Sequence, residues 1–205
     1  MTKNIVLIGF MGTGKSSCGK SLAVRLGCAF IDLDKYIESK EKMSIPEIFA
    51  AKGEAYFREK EREAVREVAQ KKGTVIATGG GTIKDEENLA LLKERGILVC
   101  LKADVDTILQ RTARRGERPV LDAQADRRKT IEDLLESRRP MYARADFTVD
   151  TSLLSPMQAT RSGRCAGRAA ISSKSGGSKK RSRDNRFMSC NYRSTRRPAV
   201  MTDLT

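Results

Sequence analysis

The sequence predicts an α/β fold, with a five-stranded parallel sheet flanked by helices in three layers. Three observations predict it. Short β-branched runs alternate with longer helical stretches over the first 150 residues, the rhythm of a sheet built from strand–helix–strand units. One of these runs passes through a glycine-rich turn straight into a helical pattern. No apolar run approaches the roughly 20 residues of a membrane span, and a chain of 205 residues that is 39% hydrophobic can fill one such core.

Taken in order, the strands are expected at Asn4–Ile8, Ala29–Leu33, Thr74–Ala77, Ile97–Leu101 and Phe147–Val149. The apolar stretch Ile5–Met11 follows a single basic residue, Lys3, and has no small-residue cleavage site. It therefore reads as a buried strand and not as a signal peptide. Helices are expected at Lys15–Leu26, Asp34–Lys40, Ile45–Ala51, Gly53–Lys71, Asp85–Arg95, Val105–Arg114 and Arg127–Arg144. Ser44, followed by Pro46 and Glu47, is a cap for the third of them. The fourth has apolar residues at 55, 56, 57, 64, 65, 68 and 69, so one face turns to the core and the charged face to water or a ligand. Between Thr112 and Arg128 the periodicity breaks into an arginine-rich stretch with one glycine and one proline. It is either a solvated loop or a mobile lid that brings arginine to phosphate. After Pro156 the chain turns rich in Ser, Gly and Arg without periodicity, the composition of a disordered extension.

Charge and composition narrow the chemistry. The net charge of +14 resembles a nucleic-acid signal until it is divided. Residues 1–156 carry 28 Lys and Arg against 24 Asp and Glu, whereas residues 157–205 carry 12 against 2. The excess belongs to the tail. The chain has no histidine, which excludes histidine acid–base chemistry and histidine-ligated zinc. Its five cysteines, at 18, 28, 100, 165 and 190, form no CxxC pair and are odd in number. They fit reduced thiols and a cytoplasmic protein.

Gly9-Phe10-Met11-Gly12-Thr13-Gly14-Lys15-Ser16 is a complete GxxxxGK[ST] motif between a predicted strand and a predicted helix. Glycines let successive backbone N–H groups face one concavity at a helix N-terminus, a site for the β-phosphate of a nucleotide. Lys15 can reach the β- and γ-phosphates and Ser16 can ligate Mg²⁺. Gly12, Thr13, Gly14, Lys15, Ser16 and Ser17 are thus the candidate contacts to ATP. A GxGxxG dinucleotide motif and an NKxD-type base reader are both missing.

Further features lie downstream. Asp32 and Asp34, two apart at the end of the second strand, project from one face. One can serve a magnesium shell and the other an acceptor, or Asp34 can simply cap a helix. Arg58 and Glu61 share a helical face three apart, a surface ion pair or part of a site. Gly79-Gly80-Gly81 ends the third strand, a plain loop or a place where backbone passes close to a ligand.

Together these features resemble the shikimate kinase family of P-loop kinases, related to the nucleoside monophosphate kinases. The resemblance is carried by Arg58, Glu61 and Val65, by Val75-Ile76-Ala77, Gly79-Gly80-Gly81 and Ile83, by Asp32 and Asp34, by Arg118-Pro119-Val120-Leu121, and by Arg138, Pro140 and Tyr142. It covers residues 3–156, with a lid at about 112–128. It implies transfer of the ATP γ-phosphate to the 3-hydroxyl of shikimate, in chorismate and aromatic amino-acid biosynthesis, by a monomer. It also implies residue roles. Asp34 would hold shikimate hydroxyls, Arg58 and Arg138 its carboxylate, and Gly79, Gly80 and Gly81 would approach it through their backbone. Glu61 would orient Arg58. Lys15 and Arg118 would stabilise the transferred phosphoryl group, Arg111 would lie against adenine, and Asp32 with Ser16 would serve Mg²⁺.

The resemblance stops at the tail, where the family would finish with an amphipathic helix; Met157–Ile171 has only a thin apolar pattern. A change of reading frame near residue 157 or a genuine basic extension would each explain it, and the abrupt end favours the first. Two other readings stay open: a gluconate-type kinase, and an NTPase that binds nucleic acid through Lys179-Lys180-Arg181.

Overall fold

The computed structural model describes residues 3–113, 126–154 and 158–159. Along these the elements are β1 (Asn4–Gly9), α1 (Lys15–Leu26), β2 (Phe30–Asp32), α2 (Leu33–Glu41), α3 (Ile45–Ala69), β3 (Val75–Ala77), a 3-10 turn (Thr82–Lys84), α4 (Glu86–Arg95), β4 (Gly96–Lys102), α5 (Val105–Ala113), α6 (Arg127–Tyr142) and β5 (Phe147–Asp150). The strands form one all-parallel sheet in the order β2-β3-β1-β4-β5. This is the expected five-stranded α/β architecture.

β1 lies at the centre because it is apolar on both faces, and all six of its residues are buried. Val6 and Ile8 turn to one side, where Ile76, Leu98 and Cys100 join them beneath α2, α3 and α4. Ile5 and Leu7 turn to the other, against Cys18, Leu22 and Ala23 of α1, with Val99, Leu101, Val149 and Ala159. A third cluster, Phe10, Ile108 and Ile131, packs α5 and α6 beside the end of β1.

Local signals account for most boundaries. Ser44 and Glu47 form the reciprocal cap of α3, with Glu47 Oε2 accepting from Ser44 N at 2.7 Å. Gly53 breaks α3 with φ 80° and ψ 173°, so the two helices expected on either side of it are two segments meeting at a kink. β2 is shorter than expected. It ends at Asp32 because that side chain, and not Asp34, caps α2, and Leu33 already belongs to the helix. Most of the 112–128 stretch, Arg118 within it, and the tail beyond Ala159 lie outside the described residues.

Candidate active site

The first half of the site is the loop from β1 to α1. Gly12 and Gly14 have φ of 80° and 88°, which side-chain-bearing residues rarely adopt. Thr13, fully buried, donates its hydroxyl to Phe10 O at 2.7 Å and closes the loop on itself. Gly14 provides no side-chain cap to α1, so first-turn N–H groups of that helix stay directed at the concavity, as an anion site requires. Lys15 reaches back from α1, its Nζ 2.8 Å from Gly9 O and 2.9 Å from Phe10 O. Ser16 and Ser17 sit half-buried in the same first turn.

The loop is braced from the far edge of the sheet. Arg111 of α5 donates through Nη1 to Gly12 O at 3.4 Å and through Nη2 to Thr151 O at 2.7 Å. Thr151, buried just beyond β5, donates to Thr13 O at 3.0 Å. No sequence signal marked Thr151, because its partners are backbone carbonyls 49 and 138 residues away.

The second half gathers at the carboxyl ends of β2 and β3, the end of a parallel sheet where ligands bind. Gly79 packs so closely on Asp34, in the first turn of α2, that a Cβ there would stand 2.7 Å from Asp34 Oδ1. Only glycine fits. Gly80 faces the phosphate loop and α6: its carbonyl accepts from Arg138 Nη1 at 2.9 Å, and its Cβ position lies 3.7 Å from Met11 N. Gly81 faces Arg58, whose Nη1 is 3.0 Å from the corresponding Cβ position. The three glycines thus turn successively toward Asp34, Arg138 and Arg58.

Arg58 and Glu61 are not a surface pair. Glu61 is 2% exposed and takes Arg58 Nη1 on Oε2 at 2.8 Å, while Glu54 takes Nη2 at 2.9 Å. Burial works against the Arg58 charge, but the two glutamates outweigh it and hold its pKa above the ordinary value. Arg138 is 6% exposed, lies 5.2 Å over the Phe10 ring, and its Nε has no hydrogen-bond partner among the described residues. One helical turn on, burial pushes the Tyr142 hydroxyl up to about 12, against the opposing charge of Arg138. Asp32 keeps one carboxylate oxygen on the α2 cap, 3.4 Å from Lys35 N. Of the expected site residues, only Arg118 lies outside the described residues.

Residues 11–164 match the family model described as shikimate kinase. The shikimate kinase of Thermodesulfovibrio yellowstonii is 46% identical over 154 residues, covering 75% of this chain and 88% of that one. That of Alkaliphilus oremlandii is 49% identical over 146 residues, covering 69% and 85%. Among solved structures, the shikimate kinase from Acinetobacter baumannii in complex with shikimate aligns with a TM-score of 0.79 at 37% identity, covering 86% of this chain and 97% of that one. A gluconokinase from Sinorhizobium meliloti aligns with a TM-score of 0.50 at 16% identity, a likeness of fold alone. Agreement of this extent is with a family and not merely with a fold: the chain belongs to the shikimate kinases, which are ATP-dependent kinases that phosphorylate a hydroxyl.

Proposed function

We propose that this chain transfers the γ-phosphate of ATP to the 3-hydroxyl of shikimate, releasing ADP and shikimate 3-phosphate. The observation that carries this reading is the convergence of Asp34, Arg138 and Arg58 on the three glycines beside the phosphate loop. A polyhydroxy acid presents hydroxyls at one end and a carboxylate at the other. Asp34 accepts from the hydroxyls, and the two guanidiniums take the carboxylate with charge-assisted bonds. Glu61 holds Arg58 from behind.

Phosphoryl transfer passes through a loose transition state, so alignment and charge neutralisation count for more than a strong base. Gly12 to Ser17 cradle the phosphates with backbone N–H groups, and Lys15 supplies positive charge across the loop mouth. Asp34 orients the attacking hydroxyl and accepts its proton late. By the family resemblance Arg118, outside the described residues, would neutralise the transferred group from the lid expected at 112–128, and exclusion of water there would limit hydrolysis. Arg111 takes a place beside the adenine while bracing the loop through Gly12.

The residues present suit Mg²⁺ that arrives with the nucleotide. Among the described residues no cluster of acidic or thiol groups could hold a metal alone, whereas the Ser16 hydroxyl and the Asp32 carboxylate are hard oxygen donors of the kind that share Mg²⁺ with phosphates. When bound there, Mg²⁺ would screen the β- and γ-phosphate charge. As the family resemblance implies, we place the protein in the cytoplasm as a monomer, with the kinase site carried by residues 1–156 and the sheet core continuing to Ala159. No helix among the described residues is long and apolar enough to cross a membrane.

ADP release measured with shikimate, gluconate and nucleoside monophosphates in parallel tests the reading. Turnover with shikimate alone is expected, and equal turnover with gluconate would refute it.

A further inference from the structure

Glu61 is held at both oxygens. Its Oε2 accepts from Arg58, and its Oε1 accepts from Thr82 Oγ1 at 2.7 Å. Thr82 is fully buried. It opens the 3-10 turn after the three glycines, and that turn is fixed by Lys84 N donating to Gly81 O at 2.9 Å and by Asn88 Nδ2 reaching Thr82 O at 3.4 Å. The hydroxyl therefore has a set position. A Cβ built on Gly79 would lie 3.0 Å from Thr82 Oγ1 and 3.3 Å from Glu61 Oε1, so this bond runs beside Gly79, next to Asp34.

From this geometry we infer that Thr82 is a positioning residue for the substrate carboxylate, acting through Glu61 on Arg58; the inference rests on the shikimate reading above. The guanidinium of Arg58 is shared between two glutamates. Glu61 is 2% exposed at its side chain and Glu54 is 64% exposed. The terminal torsion of a glutamate is soft, so only a second fixed bond keeps Oε2 aimed at Arg58. Thr82 supplies that bond. Without it, a buried carboxylate oxygen loses its donor, Glu61 turns, and Arg58 follows Glu54 away from Gly81. Nothing in this chain of contacts touches the phosphate loop, so the effect falls on the acceptor side alone.

The test uses the full chain carrying Thr82→Val, Thr82→Ala or Thr82→Ser, each checked for folding by its thermal melt. Valine and alanine should raise the shikimate KM about tenfold, equivalent to about 1.4 kcal/mol, with the ATP KM and kcat within about twofold of the parent. Serine, which keeps the donor, should restore the shikimate KM to within about twofold. In an Arg58→Ala background, Thr82→Ala should add nothing further, because the route through Arg58 is already cut. An unchanged shikimate KM in the alanine variant, or a full tenfold loss on top of Arg58→Ala, would overturn the positioning role while leaving the kinase reading intact. A parent chain that turns over ATP without phosphorylating shikimate would overturn the kinase reading, and this role with it.

Discussion

At the scale of single residues, the proposed acceptor side and the phosphate loop each have cations of their own. Arg58 meets the glycine turn at Gly81 and Arg138 meets it at Gly80, whereas Lys15 belongs to the phosphate loop. A charge-assisted hydrogen bond contributes about 1.5–3 kcal/mol, which is a factor of roughly 10 to 100 in an equilibrium. Arg58→Ala should therefore raise the shikimate KM by one to two orders of magnitude and leave the ATP KM within about twofold, as read by varying each substrate at saturation of the other. Equal losses for both substrates would mean that Arg58 supports the whole pocket and not the acceptor. Arg58→Lys should recover little, since an ammonium cannot span the substrate, Glu54 and Glu61 as a planar fork does.

At the scale of elements, what the sequence made legible depended on how local each cause is. The phosphate loop was readable because its glycines, its lysine and the helix they open are adjacent. The break at Gly53 and the cap at Ser44 were readable for the same reason. That Asp32 and not Asp34 caps α2 was not, because two carboxylates two residues apart at a strand end look alike until the fold packs Asp34 against Gly79. Spacing alone left Arg58 and Glu61 as a surface ion pair or part of a site, and only the resemblance gave Glu61 an orienting role; its burial and its bond to Thr82, 21 residues on, come from the fold. Thr151 lies beyond reach of any local pattern. The core strands make a prediction of their own. Burial raises the Cys100 thiol on β4 from 9.0 to about 11. The unfolded chain therefore ionises first. Stability from this group is present below pH 9 and is lost as the pH rises toward 11, by about 2–3 kcal/mol at roughly 1.4 kcal/mol per unit. Thermal melts across pH 8–11 should show that fall, and Cys100→Ala should make it shallower between pH 9 and 10, below the range in which the raised Tyr142 hydroxyl adds its own loss, whatever its effect at neutral pH. An identical slope in the variant would mean that other groups control alkaline unfolding.

At the scale of the whole molecule, the charge is concentrated where the active site is not. Residues 157–205 carry 12 basic and 2 acidic residues, whereas the site is assembled from elements between β1 and Thr151. The join is less abrupt than composition implies, because Ala159 is 4% exposed against Ile5, Leu7 and Val149, and the family match runs to residue 164. A chain ended after 164 should keep both KM values within about twofold of the full chain. One ended after 156 should melt several degrees lower, since it gives up the contact of Ala159 with the sheet. Equal melting of the two would place Ala159 outside the stabilising core. The central claim, transfer to one hydroxyl of one acid, is tested most directly by following purified full-length chain, ATP, Mg²⁺ and shikimate by phosphorus NMR. The account predicts one product resonance, a phosphomonoester on the 3-hydroxyl, growing in step with ADP. ADP and inorganic phosphate with no phosphomonoester, or a phosphate on another hydroxyl, would contradict it.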